Sequence, residues 1–556
     1  MKQLITTLIA LAGFAFQAFA NDFQSGDLLY TIISIDPPCV SLDGHIDGQA
    51  AQGELVVPAT VEYNNTTFAV TKIDIFAFYK CTGLTSLVLG ERIETIGRQC
   101  FEECSGLTGD LILPNTITEI EANAFYNCSS FDGRLVLSEN LTEIGTNVFS
   151  GCGFTGDLVI PERVATIRTG AFSGCRSFSG SLVIPNSVTL IDDLAFESCS
   201  GFNGELVIGK SVQFIGGNAF AYCSGFTGNL TIPNSVTVVG DGAFTYCSGF
   251  NGTLSLPSNL NSIGRCAFKE CGGISGDLII PNGVIEIGWS AFENCTSLTG
   301  HLEVPNSIRI IEHGTFKNCG FNSITLGGSI LEIHGWAFED INLLQTMTIK
   351  ATTPPAFIEA ATIPAFENVP KDIPVYVPCG SLEAYRNAEG WCEFTNLHES
   401  LMALLSVVSA DETAGTVRIL KEATCEDNLA QVEAMPNEGH SFLYWEANGE
   451  QVSSENIYSF ELEEDTELVA HFSGMDIKEE KTKLSVYPNP TTGIVTITGK
   501  DLKQAEVLNT LGQRVATATG EGERITIDIS SLPTGIYFIN ITDTEGRKCV
   551  RKVVKK

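Results

Sequence analysis

Apolar and polar positions recur along most of this chain with a long period of 23 or 24 residues. One unit reads Gly276-Asp-Leu-Ile-Ile-Pro-Asn-Gly-Val-Ile-Glu-Ile-Gly-Trp-Ser-Ala-Phe-Glu-Asn-Cys295. Leu278 and Ile280 alternate with Asp277 and Ile279, the period of a strand. Pro281 has no N–H for a ladder and ends that strand. Val284 and Ile287 point back into the coil, and Gly288 permits a tight turn. Ala291-Phe292 then place a small and a large residue inside, on a short helical turn. One coil cannot bury its own apolar side. Stacked coils share one core and line up their strands in a parallel sheet.

The Phe-x-x-Cys step marks the repeat. It occurs eleven times, from Phe78-Cys81 to Phe316-Cys319, and a twelfth copy at Phe338 carries Ile341 in place of Cys. Twelve coils at a strand spacing of ~4.8 Å give an array on the order of 55 Å long. Eleven of the 18 cysteines are therefore one repeat position. They do not form the paired Cys-x-x-Cys spacing of structural zinc sites. Equivalent positions in neighbouring coils lie close enough for bridging. An inward Cys beside Phe behaves as a small hydrophobe, and a ladder of reduced, buried thiols is the favoured reading. Cys39, Cys100, Cys266, Cys379, Cys392, Cys425 and Cys549 lie outside the ladder, and their pairing stays open.

The recurring Leu-x-Ile-Pro-x-x-Val-x-x-Ile-Gly-x-x-Ala-Phe-x-x-Cys resembles the BspA-like leucine-rich repeat of bacterial surface proteins, over about residues 53 to 350. The resemblance implies a leucine-rich-repeat solenoid, a parallel β-sheet with short helical or turn segments, followed here by two small all-β modules. An extra Gly before the strand, as in Phe202-Asn203-Gly204, departs from the usual unit and lengthens one corner.

The repeats span residues 77–350 and need caps at both ends. Residues 21–76 form the front cap and first partial repeat, with a hairpin expected over Glu62 to Val70. Residues 351–402 form the rear cap, where a short helix carrying Tyr385 covers the last strand edge. Residues 403–473 are an acidic β-rich spacer with fifteen acidic and two basic residues. Gly439 to Gly449 and Leu468 to Phe472 resemble the divergent β-rich repeat of internalin-type proteins. After a linker at 474–483, residues 484–556 carry Tyr487-Pro488-Asn489-Pro490, then Leu511-Gly512-Gln513, then Leu532-Pro533-Thr534-Gly535-Ile536-Tyr537. In that order they resemble the C-terminal sorting domain of type IX secretion. The resemblance implies a small β-sandwich, export across the outer membrane of a Gram-negative bacterium, and surface attachment or release. At the other end, residues 1–20 have a positive start, an apolar run and a small-x-small site before the Ala20–Asn21 bond, the pattern of a secretory signal peptide. No transmembrane span is expected in the mature chain.

The formal charge of −34 argues against a sequence-independent grip on phosphate backbones, and no nucleic-acid partner is expected. The seven His are scattered, with no His-Glu-x-x-His pair. No Gly-x-Ser-x-Gly turn occurs either. Gly204 to Ser211 spells a Walker A motif, but it overlies a repeat strand with no helix after it and reads as a chance match. No catalytic, cofactor or metal residue is assigned. Binding is a different matter. The outward strand position runs through Val136, Val159, Val183 and Val207, and the position two before it holds Asp110, Arg134, Asp157, Glu205 and Asp277. This candidate face pairs an apolar stripe with a mildly acidic one. Strand propensity alone also favours β-branched residues there. The leading function is a non-enzymatic adhesin that binds host or bacterial surface proteins or glycans. A glycan- or nutrient-capture protein and a secreted hydrolase are the alternatives; the expected face shows no aromatic platform.

Overall fold

The computed structural model of the chain describes residues 22–358, 364–473, 484–509 and 513–556. The signal segment with Ala20 and Asn21, the linker 474–483 and Gly512 fall outside them. The chain divides into two compact units. The first holds the repeats and their caps, residues 1–402 with 424–427; the second holds the remainder of 403–556.

The first unit is a parallel β-solenoid. Each coil contributes two inward aliphatic residues around one outward residue, as at Leu182–Val183, which pairs in parallel with Leu206–Val207. A second parallel sheet runs along another side of the coil, through Thr166–Ile167, Leu190–Ile191, Phe214–Ile215 and Val238–Val239. The repeat pattern alone implies one sheet. The second is hidden because each of its strands buries a single side chain, so no inward–outward–inward triplet marks it.

The Ala-Phe corner is not helical. Each corner is a tight turn joined to the next coil by backbone bonds such as Phe220 N–H to the Ala243 carbonyl, 2.8 Å. Residues in the left-handed region, such as Asn218 (φ 53°) and Tyr222 (φ 62°), interrupt it. A right-handed helix cannot propagate through them. Inside, Phe78 through Phe338 form an unbroken stack, with Phe196–Phe220 and Phe220–Phe244 centroids 5.3 Å apart, and Phe366 continues it. A second stack runs from Phe131 to Phe250 beside the first.

The ladder cysteines are free and buried. Each thiol from Cys104 to Cys319 donates to the carbonyl of the repeat Phe in the preceding coil, as Cys223 Sγ does to Phe196 O at 3.0 Å. This explains Cys rather than Ala or Val: the slot is apolar and contains a carbonyl that needs a donor. Burial pushes the thiols of Cys175, Cys223 and Cys271 up to about 12. Among the seven other cysteines, Cys379 and Cys425 form a disulfide. We expect a native thiol reagent to leave the ladder unmodified, because the thiolate is the nucleophile. Denatured, unreduced protein should yield 16 reactive thiols and reduced protein 18, countable by intact mass. Rapid native labelling of most ladder thiols would contradict their burial.

Polar side chains close the gaps between coils. Asn186 Oδ1 accepts the Lys210 N–H at 2.8 Å, and Asp193 Oδ1 accepts the Gly217 N–H at 2.6 Å. The extra corner glycine is required by close approach: a Cβ on Gly204 would lie 2.8 Å from the Ser181 nitrogen.

The front cap contains the expected hairpin, Thr60–Tyr63 with Thr66–Ile73. It also contains strands not foreseen from sequence, Phe23–Ser25, Leu28–Ile35 and Pro38–His45, the last pairing parallel to Thr66–Ile73. The rear cap has the helix Leu382–Asn387. Its Tyr385 is fully buried and donates to the Ala351 carbonyl at 2.7 Å, while Trp391 Nε1 donates to the Pro355 carbonyl at 2.8 Å.

In the second unit, residues 403–473 form two small sheets over Val432, Ala434, Trp445, Leu468 and Ala470. The last module is one five-stranded sheet rather than two separate sheets of a sandwich. The hairpin Ile494–Leu508 with Arg514–Asp528 is long, and its register shifts between Thr498 and Leu502. Both halves share one core that includes Val495, Ile497, Leu502, Val507 and Ile539, so the sheet folds over on itself.

Candidate functional site

The outward strand positions form a continuous row. Val56 pairs with Val88, Ile112 with Val136, and Val159 with Val183, which pairs with Val207. All seven side chains are exposed, Val159 most at 69%. The inward neighbours Leu135, Leu158, Leu182 and Leu206 are buried, which fixes the register: a one-residue slip would exchange the two sets. After Val207 the row turns polar at Thr231 and Ser255. There a depression of about 680 Å³ opens, lined also by Glu205, Lys210 and Asn229. The Ser235 Oγ that borders it is buried and has no hydrogen-bond partner.

Asp110, Arg134, Asp157, Glu205 and Asp277 are all exposed beside this row. Several of them hold the coils together. Asp110 Oδ1 accepts the Arg134 N–H at 2.7 Å, and its Oδ2 pairs with the Arg134 guanidinium at 3.1 Å. These bonds, the backbone one first, hold the Asp110 carboxyl below the usual carboxylate range. Asp277 Oδ1 likewise accepts the His301 N–H at 2.7 Å. The Glu205 N–H donates to Ser181 Oγ at 3.0 Å. A substitution at Asp110 or Asp277 therefore removes a bond between coils as well as a charge, which the sequence could not reveal. The valines carry no such duty.

The Walker-like stretch contains no phosphate cradle. Lys210 N–H is held by Asn186, Gly209 packs onto Pro185, and the strand Phe214–Ile215 follows where a helix would be needed. Among the described residues no group of three or more His, Cys, Asp or Glu is placed to hold a metal ion.

In the last module the sorting motifs converge on the terminal strand Lys548–Lys555. Asn489 Oδ1 accepts the Val554 N–H at 2.9 Å, and its Nδ2 donates to the Lys552 carbonyl at 2.8 Å. Thr491 and Val554 are bonded through their backbones, which carries the Tyr487-Pro488-Asn489-Pro490 segment along that strand. From the other motif, the Ser530 and Leu532 carbonyls accept Lys555 Nζ, and the Tyr537 hydroxyl donates to the Pro533 carbonyl at 2.8 Å. Gly535 pairs directly with Lys555. Gln513 closes its turn through its N–H to Asn509 Oδ1 at 2.9 Å. The motif residues thus fasten the C-terminal strand into the sheet.

The stacked-coil solenoid with its exposed valine row, and a separate β-domain whose last strand is clasped by its own motif residues, define a repeat scaffold with an accessory module. The BspA type leucine-rich repeat region matches residues 60–179, 177–299 and 275–368, over half of the chain, and the protein belongs to that family. The secretion system C-terminal sorting domain matches residues 485–556, and a divergent InlB B-repeat domain matches 405–476. Similar solved structures include a leucine-rich repeat protein from Bacteroides ovatus, 21% identical over 70% of this chain and 95% of that one, TM-score 0.48. A leucine rich cell surface protein from Faecalibacterium prausnitzii is 21% identical over 62% and 93%, TM-score 0.38. The T. pallidum leucine-rich repeat protein is 22% identical over 45% and 90%, TM-score 0.26. No curated protein matches the chain. The sorting domain directs the protein through type IX secretion to the cell surface or the extracellular space. Among the described residues no helix is long and apolar enough to cross a membrane. Members of the repeat family are protein-interaction scaffolds and typically non-enzymatic.

Proposed function

We propose that the protein is a surface adhesin that binds another protein, of the host or of a neighbouring bacterium, along its valine row. One observation carries this reading: seven consecutive coils expose a Val or Ile at the same position. Strand propensity does not require it. Thr231, Ser255 and Thr325 occupy the same row further on, and Thr suits a strand as well as Val does. What Val adds over Thr is apolar surface, and contiguous apolar surface on an exported protein marks an interaction site. The depression beyond Val207 gives a partner's side chain a place to enter, with Glu205 and Lys210 at hand for its polar groups.

The test uses the full chain against immobilised matrix proteins, mucins and bacterial cells. Val159→Asp with Val183→Asp should weaken the observed binding about a hundredfold, since each buried Val contributes roughly 1.5 kcal/mol. Both side chains are exposed, so the variant keeps its fold, which circular dichroism checks. Undiminished binding by a folded variant would remove the valine row as the site.

A further inference from the structure

A second face of the solenoid carries a feature that strand packing does not explain. The residue before each ladder cysteine adopts a left-handed backbone, whether it is Gly174, Asn294 or Asn318, which suit it, or Lys80, Glu103, Ser198 or Glu270, which do not. In two adjacent coils this residue is tyrosine, Tyr222 at φ 62° and Tyr246 at φ 58°. A bulky aromatic is rare in that region and strains the backbone. Burial does not offset the strain, because the two residues are 47% and 41% exposed. Their rings stack with centroids 4.9 Å apart and planes within 8°. Neither hydroxyl has a hydrogen-bond partner among the described residues.

The neighbours in the same row suit one kind of ligand. On one side stands Ser198, too short to cover the outer face of the Tyr222 ring. On the other side come Glu270, Asn294 and Asn318, linked by Asn294 Nδ2 to Glu270 Oε1 at 2.6 Å and Asn318 Nδ2 to Asn294 Oδ1 at 2.8 Å. The row therefore passes from an open aromatic face to a line of carboxylate and amide groups, one per coil. No aliphatic side chain interrupts it.

We propose that Tyr222, Tyr246, Glu270 and Asn294 form a glycan-binding strip. The aromatic pair takes the C–H face of a pyranose ring, and the carboxylate and amides take the hydroxyl groups of the following sugars. The contiguous aliphatic surface suited to a protein partner lies on the strand face and not here. The sign of use is the pair itself: two exposed rings stacked in adjacent coils, an arrangement that packing of the core does not require.

A glycan array probed with the full chain tests this. The account expects binding to oligosaccharides built of pyranose rings. Tyr222→Asn with Tyr246→Asn should bind about tenfold more weakly, yet melt no earlier than the parent, because Asn tolerates the left-handed backbone. Tyr222→Phe with Tyr246→Phe keeps the stack and should retain most binding. Val159→Asp with Val183→Asp should bind glycan as the parent does, which separates this site from the valine row. The proposal is overturned if the parent binds no glycan or if the Asn variant binds as well. It is also overturned if the Asn variant melts earlier, for the tyrosines would then be structural.

Discussion

Raising the pH should unfold the solenoid while its disulfide is intact and before any peptide chemistry begins. The thiols of Cys175, Cys223 and Cys271 are pushed up to about 12 by burial, and Cys81 to about 11, against an ordinary value of 9.0. Cys104, Cys152, Cys199, Cys247, Cys295 and Cys319 are shifted upward by the same cause. A raised folded pKa means that the folded state holds a proton which the unfolded state releases. The corresponding stability is fully present below pH 9 and is lost as the pH rises toward 12. Each such thiol removes on the order of one kcal/mol per pH unit within that window. Ten of them acting on one core remove on the order of ten kcal/mol within one unit, the size of a whole domain's stability. Tyr30, raised to about 12, acts in the same direction. We expect loss of near-ultraviolet circular dichroism together with the rise of thiolate absorbance between pH 10 and about 11. Replacing Cys175, Cys223 and Cys271 by Ala should make the loss of stability with pH shallower, because three fewer thiols release a proton on unfolding. Thiolates forming near pH 9 in a chain that stays folded would contradict the buried ladder.

The second large effect is expected from Phe220→Ala. The ring is fully buried, stacked at 5.3 Å on both Phe196 and Phe244, and its residue's carbonyl accepts the Cys247 thiol at 3.0 Å. Truncation removes the ring and leaves a cavity that the stacked backbones cannot close, at a cost of about 3–5 kcal/mol. In a repeat array stability is passed between neighbours, so the loss should appear as a break in the middle. Urea unfolding should resolve into two transitions, and hydrogen exchange should quicken first around residues 206–250. A single transition with unchanged midpoint would show that the stack is not continuous.

The inward positions of this fold are legible in sequence because they repeat. The Leu, Ile, Ala, Phe and Cys slots each recur in register and are buried as their spacing implies, with Leu256 partly exposed. The second sheet is not legible, because Leu190–Ile191 and its counterparts bury one side chain each and so lack the inward–outward–inward triplet of the first sheet. The corner at Ala-Phe looks helical from its composition, yet left-handed residues such as Asn218 turn it back. The front strands from Phe23 to His45 have no repeat to betray them. Of the candidate site, the valine row is visible as an alternation, but the structural duty of Asp110 and Asp277 is not, since their partners lie 24 residues away. Tyr222 and Tyr246 are visible as Tyr before Cys in two successive units. What makes them notable is that their rings stack at the surface, which sequence does not display.

The central claim is that this exported scaffold binds a protein along the valine row. Hydrogen exchange of the full chain, free and with the matrix protein or bacterial cell-surface protein that it captures, tests this most directly. The account predicts slowed exchange in peptides covering 134–137, 158–160, 182–184 and 206–208, with the outer corners unchanged. Protection confined to the second sheet or to the last module, with these segments unaffected, would contradict it.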